Sequence, residues 1–212
     1  MKEKKSKERK LSKGELKRKE EFEKLTERLV SEGYKPNHIT MSVLAGNVFA
    51  IVAALPFIVP LFVLYFGMGH ELLLDDGILL ISFVLFFISI VIHELIHGIT
   101  WAFFVENGWK TISFGFIAEY LTPYCSCNQP MKKKQIIIGA LMPTIILGFL
   151  PGVIAVFSDS SILFLLAVLM IIGGGGDLLI IFKLLRYKSS SKDVLFIDHP
   201  YELGTAVFEK ES

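Results

Sequence analysis

The sequence predicts an all-α membrane protein with four transmembrane helices and room for a short β-hairpin or re-entrant segment between helices 2 and 3. Three observations lead there. The chain of 212 residues is 52% hydrophobic with a mean hydropathy of +0.55, above the apolar content of ordinary soluble domains. Its apolar residues fall into four runs, each long enough for the roughly 20 residues that cross a hydrocarbon core of about 30 Å. Its positive charge clusters on some connections and is missing from others. Net charge is only +1, so no global basic field points to nucleic acid.

Taken in order, residues 1–42 read as a charged cytoplasmic tail. Residues 1–28 carry 12 of the 22 Lys and Arg, beside seven Glu. Leu16, Phe22, Leu25 and Leu29 give weak helical spacing, so a partly helical, solvated segment is expected, able to rest on anionic headgroups. The first apolar run begins near Val43, behind too long a charged stretch for a cleavable signal, and is expected to stay as an anchor. Residues 43–188 then read as the four-span domain. The spans are Val43–Gly67, with Pro56 and Pro60 inside; Ile78–Val105; Gln135–Phe157, with Pro143 and Pro151; and Ile162–Leu185, with Gly173-Gly174-Gly175-Gly176-Asp177. Proline and glycine are tolerated in spans because neighbouring helices satisfy the freed backbone groups. Residues 189–212 form a second polar tail, expected to be ordered only in part.

The connections set an orientation. The 68–77 and 158–161 loops hold no Lys or Arg, whereas the N-terminal tail, the 106–134 loop and the C-terminal tail hold all the flanking positive charge. The positive-inside bias places both termini and the 106–134 loop in the cytoplasm, which an even number of spans requires. Within that loop, WKTISFGFIAEYLTPYCSCNQP has β-branched and aromatic residues in partial alternation, the mark of a hairpin.

The second span contains Val91-Ile92-His93-Glu94-Leu95-Ile96-His97-Gly98. Ionisable groups deep in a span are costly and are usually paired or functional. On a helix His93 and His97 are i and i+4, so both imidazoles leave one face. That spacing lets them bind one tetrahedral zinc, with Glu94 beside the first histidine as general base. Gly98 and Thr100 keep the same region small. A hydrolytic zinc needs a third protein ligand. Asp177 is the acidic residue of the fourth span. It lies as far past Ile162 as His93 lies past Ile78, so the two share a depth. The preceding glycines allow close approach or local unwinding. The other reading of this stretch is a packing hinge, with Asp177 paired to Lys183 or to a backbone donor.

HELIH on an apolar span, a following loop of strand character and GD on a later span resemble the site-2-protease type of intramembrane zinc metalloprotease. The chain is more similar to a bacterial family of small membrane proteins described as zincin peptidases. That resemblance covers about 85–205 and takes in HELIHG, PYCSC, LMPTIILG, the GD pair and DHPYELG. It implies His93, His97 and Asp177 as zinc ligands, Glu94 as catalytic base, and a multi-pass place in a bacterial cytoplasmic membrane. The setting of the aspartate differs, since GGGGDLL stands where site-2 proteases carry LDG.

The function expected is hydrolysis of a peptide bond in a membrane-associated peptide or protein, with zinc as cofactor and the bilayer as partner. The rival is a non-enzymatic membrane protein, a zinc or proton transport element or a partner-binding scaffold that keeps a metal site. Lesser candidates are Cys125 and Cys127, read as reduced thiols rather than a metal pair; Glu119, read as a surface carboxylate; Asp198-His199-Pro200, read as a turn; Asn47 and Asn128; and His70, placed in an outer loop.

Overall fold

The computed structural model describes residues 13–41, 43–117, 122–200 and 202–210. Helix α1 spans Lys13–Ser31, strand β1 Tyr34–Met41, α2 Val43–Gly67 and α3 Asp76–Ala102. Strands β2 (Ile112–Ile117) and β3 (Thr122–Cys127) follow, then α4 (Lys133–Thr144), a π turn at Ile145–Phe149 and α5 (Leu150–Ser158). Last come α6 (Ser161–Gly173), α7 (Gly175–Arg186), β4 (Val194–Asp198) and β5 (Leu203–Lys210).

Among the described residues, three helical stretches are long and apolar enough to cross a membrane: Val48–Gly67, Asp76–Ala102 and Lys133–Ser158. The pair α6–α7, bent by 47°, makes a fourth if it is counted as one broken span. Large apolar side chains stay exposed along α2 and α3, among them Val63 and Val91. Water would penalise such a surface and lipid would not. The inward sides pack Ala54, Ile58, Leu61 and Tyr65 of α2 against Ala155, Phe164, Ala167 and Ile171 of α5 and α6. Helix α3 begins at Asp75, whose carboxylate accepts from the Ile78 amide at 2.9 Å, satisfying one of the first turn's orphan donors.

The all-α expectation needs correction, because the chain also carries two small sheets. Strands β2 and β3 form the hairpin expected between the second and third spans, with Phe114 opposite Cys125. The second sheet was not foreseen. Its order is β1-β5-β4, all antiparallel, with Tyr34 opposite Lys210 and Met41 opposite Leu203. The two segments expected as polar tails therefore pair with each other. Helix α1 lies on this sheet through Phe22, Leu25 and Leu29, against Ile197, Ala206 and Phe208. The physical reason is long-range pairing: β1 alone is mostly exposed, and its ladder is completed only by a strand far along the chain. Gly204 makes that pairing fit. Its φ is +137°, and a Cβ there would run into the Ile39 carbonyl of β1.

The connections sort to two ends of the helices. Loops 68–77 and 158–161 meet each other. His70 Nδ1 is 3.2 Å from Asp159, its Nε2 is 2.7 Å from the Val156 carbonyl, and the Leu73 amide donates to Ser161 Oγ at 3.0 Å. At the other end, α1, the hairpin and the terminal sheet meet, through Asn128 Nδ2 donating to Glu21 at 2.9 Å and the Met131–Phe196 bridge.

Candidate metal centre

Helix α3 supplies two imidazoles from one face. His93 and His97 are 7% and 4% exposed, and their Nε2 atoms stand 3.1 Å apart. Asp177 comes from the other side, in the first turn of α7. Its Oδ2 is 3.1 Å from His93 Nε2 and 3.4 Å from His97 Nε2. The break at Gly174 restarts the helix, so the carboxylate sits where the N-terminal peptide dipoles favour negative charge. Two of the four glycines have packing reasons. A Cβ on Gly174 would overlap Thr144 Oγ1, and one on Gly175 would overlap the Ala50 carbonyl of α2. Gly173 and Gly176 face open space. Lys183, the alternative partner for Asp177, donates instead to the Thr40 carbonyl at 3.3 Å.

The donor set fits a metal ion. Ligand atoms about 2.0–2.1 Å from a tetrahedral zinc stand about 3.3–3.4 Å apart, close to the three separations here. The chemistry agrees with the distances. His97 Nδ1 lies 2.9 Å from the Gly139 carbonyl of α4. A carbonyl only accepts, so Nδ1 carries the hydrogen and Nε2 of the neutral ring is an electron-pair donor. With the Asp177 carboxylate and His93 Nε2 facing that lone pair, a positive centre among the three, a proton or a metal ion, is favoured. Among the described residues, this His-His-Asp group is the one cluster of three or more that could hold a metal.

The surroundings orient the first histidine pair. His97 stacks on Trp101, centroids 5.0 Å apart and planes 15° from parallel. Gly139 is forced by that indole: a Cβ there would fall on Trp101 Nε1. The same residue thus gives way to the indole and orients the imidazole. Gly139→Ala keeps the carbonyl that faces His97 but must displace the Trp101 indole on which that ring stacks. It is expected to cost about 1–3 kcal/mol from overpacking and, by shifting the imidazole, to weaken zinc binding. Thermal unfolding and zinc titration of the purified variant measure the two effects separately.

Glu94 points into a cavity of about 430 Å³ that it shares with the triad. The Cys125 backbone amide of β3 faces its carboxylate. Gly98 lets the hairpin lie this close, since a Cβ there would meet Phe114 and Ile112. The cavity continues past Tyr124 and Cys125 to the terminal sheet, where Arg18, Asp198 and Glu202 line it. Burial pushes the Asp198 carboxyl up to about 7, against the opposing pull of Arg18. It draws His199 down to about 4. Burial also raises the Cys125 thiol, so it stays protonated; Cys125 and Cys127 are free and buried. Asp198-His199-Pro200 does form the β4–β5 turn, and that turn closes over the cavity. Asn128 is spent on Glu21 and Ser113. His70 is at the far end of the helices. Glu119 and the side chain of Asn47 lie outside the described residues. Sequence reading missed Arg18, Trp101 and Gly139, and nothing local in the sequence marks them.

The fold and the site thus join helices long and apolar enough to cross a membrane with a buried two-histidine, one-aspartate cluster that could hold a metal ion. The chain belongs to the family described as "Putative zincin peptidase", whose sequence model matches residues 86–192. The match runs from within α3 through α7, so it holds the whole triad and Glu94, and it ends before β4 and DHPYELG. Neither a curated protein nor a solved structure matches the chain significantly.

Proposed function

We propose that this protein is an intramembrane zinc metalloprotease that cleaves a peptide bond of a membrane-associated peptide or protein. One observation carries the reading: His93, His97 and Asp177 converge on one point, and Glu94 opens on the same cavity. Zinc held by those three residues would supply Lewis acidity, lowering the pKa of water and polarising the carbonyl under attack. Glu94 takes the proton from the attacking water and returns it to the leaving amine. Gly139 holds His97 in the tautomer that leaves Nε2 free. A transmembrane helix hides its carbonyls, so the substrate unwinds before cleavage. β3 borders the cavity and offers an edge along which an extended segment can pair. The protein would sit in the bacterial cytoplasmic membrane as a multi-pass protein with both termini cytoplasmic. That orientation suits the positive loops and brings water to Glu94 from the side of the terminal sheet.

The test is metal dependence in reconstituted vesicles carrying a panel of transmembrane peptides. Chelation should stop cleavage and added zinc should restore it. His93→Ala should purify without zinc and without activity. Stoichiometric zinc in a wild type that cleaves nothing in the panel, or in native membranes, would favour the rival, a transport element or scaffold with a retained metal site.

A further inference from the structure

Arg18 is the unexpected lining residue of the metal cavity. It comes from α1, in the stretch whose composition reads as a solvated charge run, yet it is only 7% exposed. Its Nη1 donates to Ser126 Oγ at 2.8 Å, and its guanidinium lies 4.0 Å over the Tyr124 ring. Its Nε is buried without a hydrogen-bond partner. Among the described residues no carboxylate forms an ion pair with it. A guanidinium has five N–H donors and never deprotonates, so burying one with so little compensation is costly. Arginine is favoured where a carboxylate is to be gripped by two parallel hydrogen bonds.

Its position along β3 matters as much as its burial. Tyr124 and Ser126, which hold Arg18, flank Cys125, whose amide faces Glu94. In a strand the side chains of 124 and 126 share one face. Arg18 is therefore fixed beside the strand that borders the proposed cleavage point, on the cavity wall nearer the terminal sheet. Asp198 and Glu202 line the same wall, and Arg18 favours the charge of Asp198 against the cost of burial, but neither carboxylate stands within ion-pair distance of the guanidinium.

We propose that Arg18 is a carboxylate-binding residue of this cavity, gripping an acidic group of the peptide substrate while the neighbouring peptide bond lies at Glu94. The claim rests on the peptidase reading for its choice of ligand. The carboxylate can come from a free C-terminus or from an Asp or Glu side chain, and the two sources are separable.

The test measures binding rather than cleavage, on the full-length Glu94→Gln chain in detergent. Three fluorescent versions of one short Ala/Leu peptide serve as probes: a free acid, a C-terminal amide, and an amide carrying one internal Asp. At least one acidic version should bind about ten- to a hundred-fold more tightly than the neutral amide, the range of a charged hydrogen-bond pair. Which one does so identifies the source. Arg18→Gln and Arg18→Met should abolish that difference, while neutral-amide binding changes little. Equal binding of all three probes overturns the proposal. So does an acid preference that survives loss of Arg18, because the metal cluster would then be the carboxylate's partner. Should both substitutions prevent folding, phenylglyoxal labelling of the Glu94→Gln chain decides. The acid peptide must protect Arg18 and the amide must not; equal labelling overturns the proposal. Wild-type cleavage of the same peptides separates the two readings. Carboxylate-dependent binding without cleavage sinks the hydrolase and leaves the subsite, whereas cleavage indifferent to charge does the reverse.

Discussion

Glu94→Gln will lower cleavage by about 10²–10⁴-fold, the usual contribution of a positioned general base, and will leave zinc content unchanged. The two halves of that expectation have separate physical grounds. Glutamine matches glutamate in shape and keeps an oxygen that can accept from the Cys125 amide, so the hairpin and cavity stay as they are. The three metal-facing atoms belong to other residues, so the ion keeps its ligands. What is lost is an atom able to take a proton. Elemental analysis beside a cleavage assay on one preparation reads both. A variant that cleaves like the wild type would remove Glu94 from the mechanism. A variant that loses its zinc would place Glu94 among the ligands instead.

The second large effect is expected at Asp177. Its carboxylate is the one contribution to the triad from outside α3, and it carries the negative charge that offsets a divalent ion. Asp177→Ala leaves two neutral imidazoles and should reduce zinc affinity well beyond the 10–100-fold typical of losing an outer-sphere partner. The purified variant should contain no stoichiometric zinc and should not cleave. The fold should survive, because α7 is positioned by other contacts. Gly175 rests against Ala50, and Lys183 is bonded to the Thr40 carbonyl. Full zinc retention by a folded Asp177→Ala chain would mean that a different group completes the centre.

Much of this site could be read in the sequence because its signals are local or additive. HELIH needs only helical periodicity to put both rings on one face. The match in depth between His93 and Asp177 needs only a constant rise per residue. The glycine run announces a break, and the bend at Gly174 is where it falls. What could not be read depends on contacts between distant segments. Nothing in YKPNHITM says that it will pair with LGTAVFEK, nearly the whole chain away. Once that pairing exists, it carries α1 over the cavity, and Arg18 changes from one cation among many to a buried wall residue. Gly139 was hidden for a related reason. Glycine in an apolar span is common, and only the position of Trp101 on another helix gives it a role.

The place of β5 in its sheet bears on how a newly made chain matures. This strand is the middle one of three, yet it leaves the ribosome after every helix and both of its neighbours. The helices that hold His93, His97 and Asp177 can be inserted and docked while β1 and β4 still wait for the strand between them. Until residues 203–210 emerge, α1 has no complete sheet to lie on, and the cleft of His93, His97 and Asp177 lacks the wall that Leu203, Gly204 and Thr205 give it. On the proposed reading, an ion would find those three side chains open before that wall is in place.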